Sequence, residues 1–331
     1  MVLRLQKGEK IGIYSPSSPA SVWAKERYER AKVFLEEKGL EIVEGELTGK
    51  SEQYRSGTPK ERAQELNTLL RNPEIKMIMS TIGGTNSNSL LPYIDYEAFR
   101  DNPKIIVGYS DATAILLSLY AKTGITTYYG PALVPSFGEF EPLVTYTYEY
   151  FKQFFMEETK VPYEVPMPPV WSDEAVNWLE KTTEKTLYEN EWITGHGGKA
   201  EGRLIGGNLN TMYGFIGTPY FPKVEGGDIL FIEDAMKAAS IVEKNFAMLK
   251  AHGIFHKVSG IILGKHELYD DLGTGKQPLD LLLEQLDGID IPILAQFYTS
   301  HTHPMHPLPI GKKVKLDADA KKVILLEPWL S

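Results

Sequence analysis

The sequence predicts an α/β protein of two domains, with a largely parallel sheet in the first. Three observations carry that prediction. From Lys10 to Ser110, β-rich runs ending in glycine or a small residue alternate with amphipathic helical stretches. Repeated units of this kind build parallel strands covered by helices on both faces. The 331 residues exceed what one hydrophobic core commonly serves. Between about Glu139 and Gly198 prolines cluster ("VPYEVPMPPVW") and periodicity fades, which marks an inter-domain crossing and a long functional loop. The expected division is an N-terminal α/β domain over 1–140, a linker and substrate loop over 141–198, and a C-terminal β/α domain over 199–331.

Each element has its own signal. "KIGIY" (Lys10–Tyr14) is a short strand broken by "SPSSPA". From Trp23 to Lys38 the residues Ala24, Tyr28, Ala31 and Leu35 share one helical face, and Gly39 stops the helix. "EIVEGEL" is the next strand. Thr58-Pro59-Lys60-Glu61 is a capping box with proline at the first helical position, which predicts a helix to about Arg71. "IKMIMSTIGG" and "KIIVGYS" are further strands. In the second half come "GRLIGGNLN", the strand "DILFIED", a helix from about Met236 to His252 and the strand "SGIILGK". A helix near Leu279–Leu286, then "IPILAQF" and a β-rich tail, complete it.

Composition excludes several classes of function. With 44 acidic and 35 basic residues the net charge is −9, so no basic surplus exists to neutralise a nucleic-acid polymer or an anionic membrane. Cysteine is absent, which removes disulfides, thiolate metal sites and cysteine nucleophiles. The N-terminus does not read as a signal peptide, and no apolar run is long enough to span a bilayer. A cytoplasmic protein is the expectation.

Four stretches offer chemistry. Gly108-Tyr109-Ser110-Asp111-Ala112 resembles a nucleophile elbow, G-x-S-x-G with alanine last, where a strained serine projects from a strand-to-helix turn. Ser110 and Asp111 are equally good helix N-caps. "TIGGTNSNS" (Thr81–Ser89) should lie beside Ser110 and offers backbone N–H groups to an oxyanion or a phosphate. It fits neither G-x-G-x-x-G nor the P-loop, so no nucleotide cofactor is implied. Glu233 and Asp234 end an apolar strand, where α/β proteins place their sites, or else cap the following segment. "SHTHPMHPLPIG" holds His301, His303 and His306, three of seven histidines, suited to zinc or to a single general base. A serine needs an imidazole to take its proton and a carboxylate to orient that imidazole. Ser110, Glu233 and the His301 segment can supply all three.

The motifs "GIYSPSSP", "TIGGTNSNSLLPYIDY", "GYSDATAI", "GRLIGGNLNT", "ILFIEDAMK" and "SHTHPMHPLPIG" together resemble the LD-carboxypeptidase family of serine peptidases, and within it the microcin C immunity branch. The resemblance runs from about Lys10 to Gly311. It implies a flavodoxin-like N-terminal domain, a swivelling C-terminal β/α domain with the active site between them, a homodimer, and no metal or cofactor. Ser110 takes the nucleophile position, Glu233 the carboxylate, and the N–H groups of Gly84 and Asp111 the oxyanion hole. Asn208 and Asn210 take the substrate-facing turn, and Lys237 meets the aminoacyl end of the substrate. The family's G-H-T-D is here "SHTH". Aligning "PLPIG" with the family's "TLPLG" puts the catalytic histidine at His301, His303 on an aspartate position and His306 on an apolar one.

The resemblance implies one of two substrates: the L,D bond of a muropeptide tetrapeptide, or the amide of an aminoacyl-nucleotide such as processed microcin C. Trp171 and Trp178 favour the second, because an indole face can stack on a purine; burying the loop is their other use. The rival class is a non-catalytic two-domain protein that closes on a small molecule.

Overall fold

The computed structural model describes residues 2–158, 160–174, 176–178 and 185–331. The first sheet contains β1 (Lys10–Tyr14), β2 (Glu41–Glu44), β3 (Ile75–Ser80), β4 (Ile105–Gly108) and β5 (Tyr128–Tyr129), and every pairing among them is parallel. β3 and β4 are buried almost throughout, as strands covered on both faces must be. The helices Lys25–Glu37, Pro59–Arg71 and Thr113–Thr123 connect them. The capping box is complete: Thr58 accepts from the Glu61 N–H and Glu61 accepts from the Thr58 N–H.

Next in the chain come β6 (Tyr163–Glu164) and a ribbon of β7 (Val170–Trp171) and β8 (Tyr188–Glu189). They are followed by β9 (Ile193–His196), β10 (Lys199–Asn208), β11 (Ile229–Glu233), β12 (Gly260–Gly264) and β13 (Ile293–Phe297). β14 (Leu308–Pro309), β15 (Lys313–Asp317) and β16 (Lys322–Leu325) close the chain. The second sheet runs β6-β16-β15-β10-β11-β12-β13-β9. Its centre, β10 to β13, is parallel, and antiparallel β9 and β15 flank it. The mixed α/β class and the separate second sheet agree with the sequence prediction.

Two features lie outside that prediction. A helix, Leu143–Phe155, occupies the start of the expected linker and buries Leu143, Val144, Tyr148, Phe151, Phe154 and Phe155. Its "TYTYEYFKQFF" run is aromatic and β-branched, types that favour strands locally, and tertiary packing overrides the preference. The other feature is β14, which leaves the second sheet and pairs antiparallel with β5 of the first. The segment 298–307, with all three clustered histidines, is therefore held between β13 of one sheet and β14 beside the other. No helix among the described residues is long and apolar enough to cross a membrane.

Candidate active site

Ser110 stands where β4 gives way to a 3₁₀ turn and the helix Thr113–Thr123. Its φ is +60°, a left-handed conformation uncommon for a residue with a Cβ and characteristic of strained functional turns. No side chain caps this helix. The Asp111 carboxylate reaches the other way and accepts from the N–H groups of Asn86 and Ser87, both at 2.8 Å. It thereby fastens the glycine turn beside the serine.

That turn needs its glycines. A Cβ on Gly83 would sit 2.6 Å from Ser110 Cβ and 2.9 Å from the Asp111 nitrogen. Gly84 has φ +149°, and a Cβ there would collide with the Ser17 side chain. Ser17 Oγ in turn accepts from the N–H groups of Thr85 (3.0 Å) and Asn86 (3.3 Å). The backbone of this turn therefore lies against Ser110, the approach an oxyanion hole requires.

Glu233 ends β11 and is fully buried. Register puts Asn208 opposite it on β10, and the Asn208 amide donates to Glu233 Oε1 at 2.9 Å. Tyr129 of β5 donates its hydroxyl to the same oxygen at 2.5 Å and accepts the Ser110 N–H at 3.2 Å. The other oxygen, Oε2, lies 2.7 Å from His301 Nδ1. Burial alone would raise the Glu233 pKa, but the His301 charge and the hydrogen bonds from His301, Tyr129 and Asn208 outweigh it and hold the carboxyl below its ordinary range. Burial likewise works against protonated His301, yet the charge and hydrogen bond of Glu233, with Glu267 and Asp234, raise its pKa. With Nδ1 committed to Glu233, Nε2 is the nitrogen left for proton transfer.

Neither of the other two histidines touches Glu233, although His303 lines the larger of the two cavities beside Ser110. His303 is buried, with Nε2 3.9 Å from Glu139, and desolvation pushes its pKa down to about 3. His306 is enclosed by Tyr163 and Phe154, with Nδ1 2.6 Å from the Pro307 carbonyl and Nε2 3.0 Å from the Tyr163 hydroxyl. Among the described residues no three His, Asp or Glu side chains are grouped to hold a metal ion.

Ser110 and His301 line two adjoining cavities. The smaller, about 150 Å³, is also lined by Gly84, Asp111, Asn208, Asn210 and Lys237. Asn208 is largely committed to structure: besides Glu233 it caps the helix Leu209–Tyr213 through the Thr211 N–H. The Asn210 N–H donates to Asp234 Oδ2 at 3.1 Å. Lys237 donates to the Ala235 carbonyl at 3.1 Å. The larger cavity, about 610 Å³, adds Trp178, Trp23, Lys185, Glu267 and His303. Trp171 is not in it. That indole donates to the Glu189 carbonyl and lies under the Lys265 ammonium, in a separate cavity of about 320 Å³.

Sequence reasoning missed Tyr129, Trp23, Lys185 and Glu267. Glu267 follows the C-terminal end of β12, the kind of position that drew attention to Glu233, and the same rule would have found it. Tyr129 had no signal of its own, because its role depends on β5 lying beside β4.

Comparison with known proteins accords with this geometry. The LD-carboxypeptidase N-terminal domain model matches residues 11–130 and the C-terminal domain model residues 201–316. The chain is 53% identical to the microcin C7 self-immunity protein MccF of Escherichia coli, over 99% of this chain and 96% of that one. It is 52% identical to a putative carboxypeptidase of Vibrio cholerae (98% and 97%) and 30% identical to a probable murein peptide carboxypeptidase of Bacillus subtilis (99% and 94%). The solved MccF structure in complex with glutamyl sulfamoyl guanosine superposes with a TM-score of 0.98, at 52% identity over 100% of this chain and 99% of that one. Other MccF structures with the same TM-score are a tryptophan-to-phenylalanine mutant bound to adenosine monophosphate and an active site mutant in which a serine, an asparagine and a lysine are changed to alanine. Two domain models in order, and a relative more than half identical along nearly its whole length, establish that the chain belongs to the LD-carboxypeptidase family and is a serine carboxypeptidase-type hydrolase.

Proposed function

We propose that the protein hydrolyses the amide between an aminoacyl group and a nucleotide or its sulfamoyl analogue, using Ser110, His301 and Glu233 as its relay. The observation that carries the relay is the 2.7 Å bond from Glu233 to His301 Nδ1 in a cavity that Ser110 also lines. Ser110 Oγ attacks the amide carbonyl carbon while His301 Nε2 takes its proton. The backbone N–H groups of Gly84 and Asp111 receive the negative oxygen. His301 returns the proton to the departing nitrogen, and water activated by the same imidazole cleaves the acyl-serine.

Support for the substrate comes from the two cavities. The smaller holds Asn210 and Lys237, suited to the aminoacyl end. A serine, an asparagine and a lysine are also the residues changed in the active site mutant of MccF. The larger has room for a nucleoside and presents an indole, Trp178. MccF itself binds aminoacyl-sulfamoyl nucleosides.

A paired assay tests the reading. An aminoacyl-sulfamoyl adenosine should be cleaved to the free amino acid and sulfamoyl adenosine, and Ser110→Ala should abolish turnover while leaving binding intact. Release of D-alanine from an L,D-tetrapeptide, with the nucleoside compound untouched, would transfer the protein to the murein-processing side of the family.

A further inference from the structure

Trp23 is the residue that the relay leaves unexplained. It ends a one-turn helix, Ala20–Trp23, that follows the Ser17 loop bracing the glycine turn. Its indole is 41% exposed and lies parallel to that of Trp178, with ring centroids 5.5 Å apart and planes inclined by 18°. One helical turn further on, Arg27 places its guanidinium 4.2 Å from the Trp178 ring centroid. Arg27 is fully buried and fixed by the Val134 and Pro135 carbonyls and by Glu139 at 2.8 Å. Lys185 binds that same carboxylate at 3.0 Å. Trp178 is thus seated on a rigid ionic base, with Trp23 as its exposed companion.

Both indoles line the 610 Å³ cavity that reaches Ser110 and His301. Two large apolar side chains of the second domain, Met236 (65% exposed) and Leu268 (41% exposed), line it too. Exposed apolar surface gathered around a cavity marks a place that a ligand covers. With centroids 5.5 Å apart the rings leave no room for a base between them. The stacked pair therefore offers a planar heteroaromatic group its outer face, with little loss of side-chain freedom on binding.

We infer that Trp23 is a second stacking residue, which with Trp178 forms a two-indole platform for the nucleotide base of the substrate. The inference rests on the aminoacyl-nucleotide reading and adds a specificity determinant from the first domain. A merely structural Trp23 would pack the loop for any substrate. A stacking Trp23 acts on base-bearing ligands alone.

The test compares Trp23→Leu, which keeps apolar cover without a ring, with Trp23→Phe, which keeps a ring. Binding of adenosine monophosphate is measured by calorimetry and turnover with an aminoacyl-sulfamoyl adenosine. W23L should raise both Kd and KM by roughly 10- to 100-fold, the range that loss of one base–aromatic stack gives, with kcat changed less than about twofold. W23F should recover most of the loss, and both variants should keep the wild-type unfolding midpoint. Unchanged Kd and KM in W23L overturn the inference, and so does W23F failing as badly as W23L. A W23L protein that loses kcat or its unfolding midpoint instead assigns Trp23 to packing and overturns it as well. Wild-type protein that neither binds the mononucleotide nor cleaves the nucleoside substrate overturns the nucleotide reading itself, a result distinct from any of these.

Discussion

Glu233 has no exposed surface, yet it accepts from three side chains, and that arrangement decides what single substitutions do. Tyr129→Phe removes one donor from a buried carboxylate and the acceptor for the Ser110 N–H. It should cost about 1–3 kcal/mol of stability and lower kcat more than KM, measured by urea unfolding and steady-state kinetics. The pH profile follows from His301, whose pKa the Glu233 charge raises against burial. In the proposed relay His301 must be neutral to act as base, so activity should fall as pH drops through that raised value. Glu233→Gln should move the acid limb of kcat/KM to lower pH while reducing its plateau; an unmoved limb would mean that another group sets it. The stability that His301 gains from the pair is complete below the ordinary histidine pKa and is lost as pH rises through the raised value. For Glu233 the sign reverses: the gain is complete above the ordinary carboxyl range and is lost as pH falls through its lowered pKa. At this scale the sequence displayed Ser110 and Glu233, because each is a reactive type at the end of an apolar run. Residue type left three histidines open, and only the register of "PLPIG" singled out His301. The fold puts His301 against Glu233, His303 on the cavity wall beside Glu139 and His306 into the core.

Among the elements, the turn 81–89 and the strand-to-helix turn at Ser110 fit together through the absence of side chains. Gly83→Ala would set a methyl 2.6 Å from Ser110 Cβ, so backbone must shift. We expect a stability loss of about 1–3 kcal/mol and a fall in kcat larger than that of any surface substitution, read from thermal unfolding and turnover. The substrate loop gives a sharper contrast. Trp178 shares the cavity of Ser110 and Trp171 does not. Trp178→Ala should therefore weaken nucleotide-bearing substrates by about 1–3 kcal/mol, and Trp171→Ala should leave KM nearly unchanged; equal losses would mean that both only hold the loop. The two tryptophans looked alike in the sequence, because a residue type does not say which side of a hairpin faces the cleft. The parallel strands were legible from alternation and small end residues. The helix Leu143–Phe155 was not, because its aromatic run carries a strand-like composition that packing overrules.

For the whole molecule, the question is what keeps the first-domain wall of the cleft fixed relative to the histidine segment. The cluster around Glu139 answers it. Arg27 comes from the first domain's helix, Lys185 from the end of the substrate loop, and His303 from the segment between β13 and β14. Burial alone would raise the Glu139 pKa, but His303, which becomes charged in the same acidic range, and the standing charges of Arg27 and Lys185 hold it down at about 2. Because Arg27 and Lys185 are almost completely buried, removing the carboxylate leaves uncompensated charge in the interior. Glu139→Gln should cost about 3–5 kcal/mol, seen as a lower urea midpoint at unchanged slope. Lys185→Met should cost less, since Arg27 still faces Glu139. The stability that Glu139 contributes is present above the ordinary carboxyl range and is lost only as pH falls toward about 2. The wild-type advantage over Glu139→Gln should therefore persist through mildly acidic pH. Because Arg27 also lies against Trp178, the same substitution should raise KM for nucleotide-bearing substrates more than for an L,D-tetrapeptide. A Glu139→Gln protein with wild-type stability and wild-type KM would show that the cluster does not hold the cleft together. The hold would then have to come from the remaining contacts, such as the β5–β14 pairing, the Tyr109 ring against His301 and the Tyr129–Glu233–His301 hydrogen bonds.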